Sequence, residues 1–323
     1  MTAITRRNTS ALGLIGAFSL AAPTILRAAP ATKLRVGWQK GGVLGLVKAE
    51  GALDRAFADQ GLRVEWAEFT SGPPMLEALS ANALDFGYTG DVPPIFAHAA
   101  RGNLLFVAAT ESSDEGHAIL VPKDLPLQSV EELKGKRVAF KRGSSAHGVL
   151  IKFLRNADVA LDDVTQIDLS PPDAIAAFDN GAIDAWVIWD PYLALAEARP
   201  NTRVLKTSEG LNSKYGFYSA NGDYTRDNPE LIPRIIEEIR KVGIAGQQNL
   251  DQTVRSFATE TGLSAEVIRT YLTRKGADLG KHGPVEEHHI EYEQALADDF
   301  LAIGVIPSKL DIRSVTWTPD ATS

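Results

Sequence analysis

The 323-residue sequence contains no cysteine. That excludes disulfide frameworks, thiolate zinc sites, a cysteine nucleophile and a lipid-bearing N-terminal cysteine. It has no excess of basic charge: 33 Lys+Arg stand against 41 Asp+Glu, a net charge of -8. A general nucleic-acid binder would show a basic face, so no nucleic-acid partner is expected. No apolar run reaches the roughly 20 residues needed to cross a bilayer. His-Glu-x-x-His, Gly-x-Ser-x-Gly and the Gly-Lys-[Ser/Thr] ending of a P-loop are also missing. These absences remove the usual frames for a zinc protease, a serine hydrolase and a nucleotide-binding loop. No metal, cofactor or catalytic residue is therefore expected. What remains is 44% hydrophobic and 23% charged, with a mean hydropathy of -0.09. Such a chain is an ordinary soluble globular protein, long enough for two domains.

Residues 1–31 carry three arginines (Arg6, Arg7 and Arg27) and no acid. An apolar run from Ala11 to Ala22 follows the paired arginines, and Ala29-Pro30-Ala31 closes the segment. A charged start, a short apolar middle and small residues at the end form a secretory signal peptide. The arginine pair favours the twin-arginine route, with the general secretory route as the alternative. Cleavage falls after Ala28, Ala29 or Ala31, and loss of the three arginines takes the net charge from -8 to -11. An exported soluble chain without an anchor would be retained in a periplasm.

Two motifs occur twice, in the same order. Leu34-Arg35-Val36-Gly37-Trp38-Gln39-Lys40-Gly41 resembles Lys136-Arg137-Val138-Ala139-Phe140-Lys141-Arg142-Gly143. Asn82-Ala83-Leu84-Asp85 resembles Gly181-Ala182-Ile183-Asp184, and a second aspartate follows each six positions later, at Asp91 and Asp190. The offsets are 102 and 99 residues. Strands are expected at 33–39, 62–69, 84–88, 104–110, 117–121, 136–140, 164–169, 183–189 and 203–206. Helices are expected between them, at 73–82, 92–101, 145–156 and 171–180, and then at 228–249, 251–261, 264–273 and 285–303. Asp227-Asn228-Pro229-Glu230 reads as the cap of that final helical block. Strands alternating with helices imply open α/β sheets with mostly parallel strands. The duplication divides the chain into lobe one (32–113 plus 219–323) and lobe two (114–218). Crossings fall near Ala109–His117 and Tyr215–Asn221. A ligand would lie between the lobes, outside the carboxyl ends of the strands.

Candidate ligand-binding residues cluster at those ends. Arg142-Gly143-Ser144-Ser145-Ala146-His147 leads into a helix, where free N–H groups and the helix dipole favour an anion. Ser144 and Ser145 add hydroxyl donors; the plainer reading is a serine cap. His147 either donates to the ligand or caps locally. Gln39 offers an amide donor, whereas Lys40 is expected in solvent. In Tyr88-Thr89-Gly90-Asp91, Thr89 and Gly90 would approach the ligand. Asp91 would accept helix N–H bonds and fix the loop, because a carboxylate repels an anion. In Asp184-Ala185-Trp186-Val187-Ile188-Trp189-Asp190-Pro191, strand spacing puts Trp186 and Trp189 on opposite faces. Trp189, beside Asp190, is expected in the site and Trp186 in the core.

These motifs, with Gly72-Pro73-Pro74-Met75-Leu76-Glu77-Ala78-Leu79, Thr89-Gly90-Asp91-Val92-Pro93-Pro94, Leu133-Lys134-Gly135-Lys136-Arg137-Val138 and Asp311-Ile312-Arg313, span residues 33–317 in order. The chain resembles the aliphatic-sulfonate-binding proteins of ABC transporters, within the nitrate/sulfonate/taurine superfamily. The resemblance implies a two-lobe type II periplasmic-binding-protein fold with two interlobe crossings. It also implies an organosulfonate ligand, a permease and ATPase as partners, and a monomer in the periplasm serving sulfur metabolism. By resemblance the sulfonate head meets Gln39, Gly90, Ser144, Ser145, Ala146, His147 and Trp189, largely through backbone and neutral donors. Relatives often carry a third serine where this chain has Ala146, so one hydroxyl is lost. Glu111-Ser112-Ser113-Asp114-Glu115-Gly116-His117, at the first crossing, also departs from the family pattern. Its acids would face either an amine-bearing tail or water. Proteins of similar fold bind taurine, nitrate or pyrimidines. A desulfinase on this fold is the enzymatic alternative, but its chemistry uses a cysteine, and a sensory binding protein is a third reading.

Overall fold

Eleven strands pair into two separate sheets among the described residues, 31–211 and 215–318, of a computed structural model. The strands are β1 (Lys33–Trp38), β2 (Arg63–Glu68), β3 (Phe86–Gly90), β4 (Leu104–Glu111), β5 (His117–Pro122), β6 (Arg137–Phe140), β7 (Thr165–Asp168), β8 (Ala185–Trp189), β9 (Thr202–Thr207), β10 (Tyr215–Asn221) and β11 (His282–Gly283). The helices are α1 (Leu44–Ala49), α2 (Ala52–Phe57), α3 (Gly72–Ser80), α4 (Val92–Ala99), α5 (Ser145–Asn156), α6 (Pro171–Asp179), α7 (Tyr192–Glu197), α8 (Gly222–Asp227), α9 (Leu231–Gln248), α10 (Leu250–Thr261), α11 (Ala265–Leu272) and α12 (Glu287–Ala302). The leader expected over 1–31 lies, apart from Ala31, outside the described residues. None of the described helices is long and apolar enough to cross a membrane.

The first sheet has the order β11-β4-β10-β3-β1-β2 and the second β7-β6-β8-β5-β9. Read from β4 and from β9, the two orders are the same: two antiparallel neighbours, then three parallel strands. Registers match as well. Val36 lies opposite Phe86 in the first sheet, and Val138, 102 residues on, lies opposite Ala185 in the second. The chain leaves the first sheet after Glu111 and returns at Tyr215, giving two crossings. The return was expected within Tyr215–Asn221, with 215–218 in lobe two. All of that segment instead pairs with β3 and β4 of the first sheet, so the second crossing precedes Tyr215. The apolar and aromatic run of β10 reads equally well as a strand of either sheet, and only pairing assigns it.

Local chemistry explains the helix starts. Pro-Pro pairs occupy the first turns of α3, α4 and α6, where the missing N–H costs nothing and the fixed φ suits a helix. The block expected from residue 228 begins three residues later. Asn228 precedes Pro229, which disfavours helical backbone there, and it terminates the short α8 instead. Helix α5 is buried nearly all round. Val149, Leu150, Phe153 and Leu154 join the core of the second sheet, while Ile151 packs with Val92, Ile95 and Phe300. This helix is thus wedged between the two halves, and its N-terminus is held where they meet.

Candidate ligand-binding site

A cavity of about 140 Å³ opens where the strand ends of the two sheets face one another. From the first half it is lined by Gln39, Tyr88 and Gly90, and from the second by His117, Ser144, Ser145, Trp189 and Asp190. Tyr271, Leu272, Ala277, Asp278, Leu279 and His282, from the helical block, complete the wall, with Glu111, Ser112 and Ser113 of the first crossing. No lysine or arginine is among these described lining residues. Lys40, beside Gln39, turns away to Glu68 and the Thr261 carbonyl.

The donor end is built on α5. Gly143 has φ 73, a left-handed conformation that turns the chain after β6. Ser144 is extended and Ser145 opens the helix, so the N–H groups of Ser145 and Ala146 have no intrahelical acceptor. The Ser144 hydroxyl donates to the Lys141 carbonyl at 2.7 Å. The Ser145 hydroxyl lies 2.9 Å from His117 Nε2. Across the cleft, a Cβ on Gly90 would stand only 2.9 Å from the Ser145 Cβ, so the two halves can meet here only through glycine. Gln39 donates its amide N–H to the Tyr88 carbonyl at 3.1 Å, which fixes the amide plane. Trp189 lines the cavity while Trp186 is fully buried, as their strand spacing implies.

Four expected site residues are not on the cavity wall. Thr89 lies one position from Gly90 on its strand and so faces the opposite side; its buried hydroxyl donates to the Gly90 carbonyl. His147 is about 200° around α5 from Ser145 and stacks on Phe140, with ring centroids 4.9 Å apart. Its Nδ1 accepts from the Gly143 N–H at 3.3 Å, so the local-cap reading is the one the structure supports. Burial pushes its pKa down to about 4, leaving the ring neutral. Ala146 is fully buried in the core of the second sheet. Asp91 is buried, and its carboxylate accepts the Tyr292 hydroxyl at 2.6 Å. It does not cap α4 through its side chain, because its own backbone is already helical (φ -64, ψ -40).

Asp190 shows the behaviour expected of Asp91. Its carboxylate accepts the Ala194 N–H at 3.1 Å inside α7. It also takes two bonds from Arg274, at 2.5 and 3.2 Å, and Arg274 binds Glu197 as well. Burial raises the Asp190 pKa to about 6, against the pull of Arg274, so the carboxylate is ionised at neutral pH. The other two acids of the wall are also engaged: Glu111 pairs with Lys281 at 2.6 Å, and Asp278 accepts the Gly280 N–H at 2.8 Å.

Sequence reasoning missed His117, Tyr88, Tyr271 and His282 as lining residues. Tyr88 was legible from alternation, since it shares a strand face with Gly90. His117 stands at the end of the crossing segment already marked as unusual. Tyr271 and His282 come from the C-terminal helical region, which carries no repeat to align with the cleft. His282 is spent on structure: Nδ1 meets the Tyr218 hydroxyl at 3.0 Å and Nε2 the Leu279 carbonyl at 2.6 Å.

The model of the family of ABC-transporter phosphonate periplasmic substrate-binding proteins matches residues 53–245. A relative from Escherichia coli (strain K12), named for binding aliphatic sulfonates, is 35% identical over 314 residues, 97% of each chain. The chain belongs to the sulfonate/nitrate/taurine superfamily of ABC-transporter binding proteins. Solved structures of that superfamily superpose closely. The alkanesulfonate-binding protein SsuA of Xanthomonas axonopodis pv. citri, bound to MOPS, is 32% identical with a TM-score of 0.86, covering 90% of this chain and 99% of that one. The periplasmic aliphatic sulphonate binding protein SsuA of Escherichia coli is 35% identical with a TM-score of 0.80, covering 91% and 94%. The close relatives are substrate-binding proteins of ABC transporters, not enzymes, and this chain stands with them.

Proposed function

We propose that this protein captures an organosulfonate in the cleft and delivers it to the permease of an ABC importer, and through it to the ATPase. The observation that carries the reading is a donor end made only of neutral groups at the start of α5, with no lysine or arginine on the wall. Such an end suits a weakly hydrated monoanion, which needs donors and dipoles but no counter-charge. A dianion such as sulfate would meet Glu111, Asp190 and Asp278 in the same cavity without a cation of its own. Trp189, Tyr88, Tyr271, Leu272 and Leu279 supply apolar surface for an organic tail. The names of the two SsuA relatives support the same ligand class.

The two sheets are the cores of two lobes that close on the ligand about the two crossings, the first at 112–116 and the second after Thr207. The protein works as a monomer in the periplasm, after removal of a twin-arginine signal peptide by cleavage after Ala28, Ala29 or Ala31. Size-exclusion chromatography with light scattering, and N-terminal sequencing of the exported protein, check those two statements.

Thermal shift of the mature protein against sulfate, nitrate, taurine and alkanesulfonates of graded length tests the ligand. The buffer is Tris or phosphate, because HEPES and MOPS are themselves sulfonates. A ligand that binds only the folded state raises Tm by mass action. Graded shifts among alkanesulfonates, with none for sulfate or nitrate, are expected. A response to nitrate or sulfate alone sinks the reading.

A further inference from the structure

His117 has no counterpart in the duplicated motifs, yet it stands at the donor end of the cavity. Its Nε2 meets the hydroxyl of Ser145, the first residue of α5, at 2.9 Å. Its backbone N–H is anchored on the Ser208 hydroxyl at 3.2 Å, and across β5 and β8 it faces Trp189.

We propose that His117 is a positioning residue for the captured anion, deciding whether Ser145 turns its proton or its lone pairs toward the cavity. This inference rests on the sulfonate reading of the cleft. A neutral imidazole carries one N–H. If Nε2 is bare, it accepts the Ser145 proton and leaves oxygen lone pairs facing the ligand. If Nε2 carries the proton, it donates to Ser145 Oγ, and the serine proton is free for the ligand. A sulfonate can only accept, so a bound anion selects the second arrangement.

That arrangement survives a second proton on Nδ1, which adds positive charge close to the anion. Anion and proton therefore reinforce each other's binding, and the coupling is reciprocal. In the free protein burial holds the ring pKa down at about 4. The charged and titratable groups around it are Asp91 at the start of α4, which favours the protonated ring, and Lys152 of α5, which opposes it. Glu293 and Tyr292 of α12 stand behind them, against the same Asp91, and Asp190 follows the facing Trp189.

The test is calorimetric titration of butanesulfonate at pH 7.5 and 5.0 into wild type, His117→Gln and His117→Ala, with circular dichroism to show that each is folded. Butanesulfonate stays ionised throughout, so the ligand does not titrate. Wild-type affinity is expected to strengthen several-fold at pH 5.0. Glutamine still has an N–H to give Ser145 but cannot take up a proton. His117→Gln should keep the pH 7.5 affinity within about threefold and lose most of the acid gain, retaining the part due to Asp190. His117→Ala should lose about tenfold at pH 7.5, the range of one hydrogen bond. Nitrogen-15 NMR of the bound wild type reads the ring directly, and a bare Nε2 overturns the proposal. So do variants that match wild type at both pH values. Failure of the wild type to bind butanesulfonate at either pH overturns the sulfonate reading and the positioning role together; wild-type binding with indifferent variants overturns the positioning role alone.

Discussion

The two halves of the repeat use one frame and two different fastenings. In the first, Arg35 binds Asp85 through its backbone N–H at 2.7 Å and its Nε at 3.0 Å, and reaches the Asn82 carbonyl at 2.5 Å. In the second, Arg137 binds Asp184 through its backbone N–H at 2.8 Å and its Nε at 3.1 Å, and reaches the Gly181 carbonyl at 2.9 Å. Each arginine ties a parallel strand to the loop entering its neighbour, so the duplicated residues hold duplicated geometry. Six positions further on, the likeness ends. Asp91 accepts the hydroxyl of Tyr292 of α12, while Asp190 is held by Arg274, which follows α11. Both partners come from the helical block that follows the repeat. The lesson is that the frame was copied, and a later segment made the two copies unequal. The loops that follow β1 and β6 diverge in the same way. After β1 come glycines and the six-residue α1; after β6 come two serines and the twelve-residue α5.

Breaking the Arg274 fastening should have the largest effect. Arg274→Ala leaves Asp190 and Glu197 without their shared cation at a junction of the two halves. Stranding a buried charge costs roughly 3–5 kcal/mol when it stays buried. In the proposed lobe motion the cleft opens and hydrates Asp190, so the loss should appear mainly in binding. Butanesulfonate affinity is expected to fall on the order of a hundredfold, while Tm without ligand drops only a few degrees. Tyr292→Phe, at the other aspartate, removes one hydroxyl and should cost about 1 kcal/mol of stability. Equal effects of the two substitutions on affinity would erase the distinction between the fastenings.

Acid sharpens the contrast between the serine loop and the rest. His147 is buried neutral, with its pKa lowered from 6.5 to about 4. The unfolded chain takes up a proton more readily than the folded one. Its contribution is therefore fully present above pH 6.5 and is lost as pH falls from 6.5 toward 4. The full span is about 3 kcal/mol. Asp190, raised to about 6, acts with the opposite sign between pH 6 and 3.8. His147→Phe keeps an aromatic ring against Phe140 and removes the titration. Urea unfolding at pH 7 and pH 5 should show a smaller acid loss in the variant, and an identical loss would show that His147 is not what titrates.

The smallest effects compare the copied arginine–aspartate ties. Asp85 is 2% exposed, whereas the Asp184 side chain is 23% exposed. Asp85→Asn should cost about 2 kcal/mol, because the half-buried Arg35 guanidinium loses its buried charge partner. Asp184→Asn should cost a fraction of that, because water replaces what is lost. Urea midpoints of the two variants give the ratio directly.

Much of this was readable from residues. All nine expected strands exist, and β-type runs ending in glycine loops placed Gln39, Gly90, Ser144, Ser145 and Trp189 on one cavity. Alternation and the 100° helical step could also have set Thr89 and His147 aside, because those rules are local. The short helices α1, α2, α7 and α8 escaped, since six residues hold too little of a period to be seen. Membership of β10 in the first sheet was not legible either, because hydrogen-bond pairing between distant strands leaves no mark on either one.

Local order, the copied motifs and the donor chemistry of Gly143-Ser144-Ser145 are properties of short segments, and backbone sterics and side-chain periodicity impose them wherever the chain lies. The meeting of His117 with Ser145, the hold of Arg274 on Asp190 and the approach of Gly90 to Ser145 join residues 28, 84 and 55 positions apart. Those contacts exist because two sheets and a C-terminal helical block pack against one wedged helix. Burial in that packing, which no single segment controls, is what sets the charge of each group in the cleft.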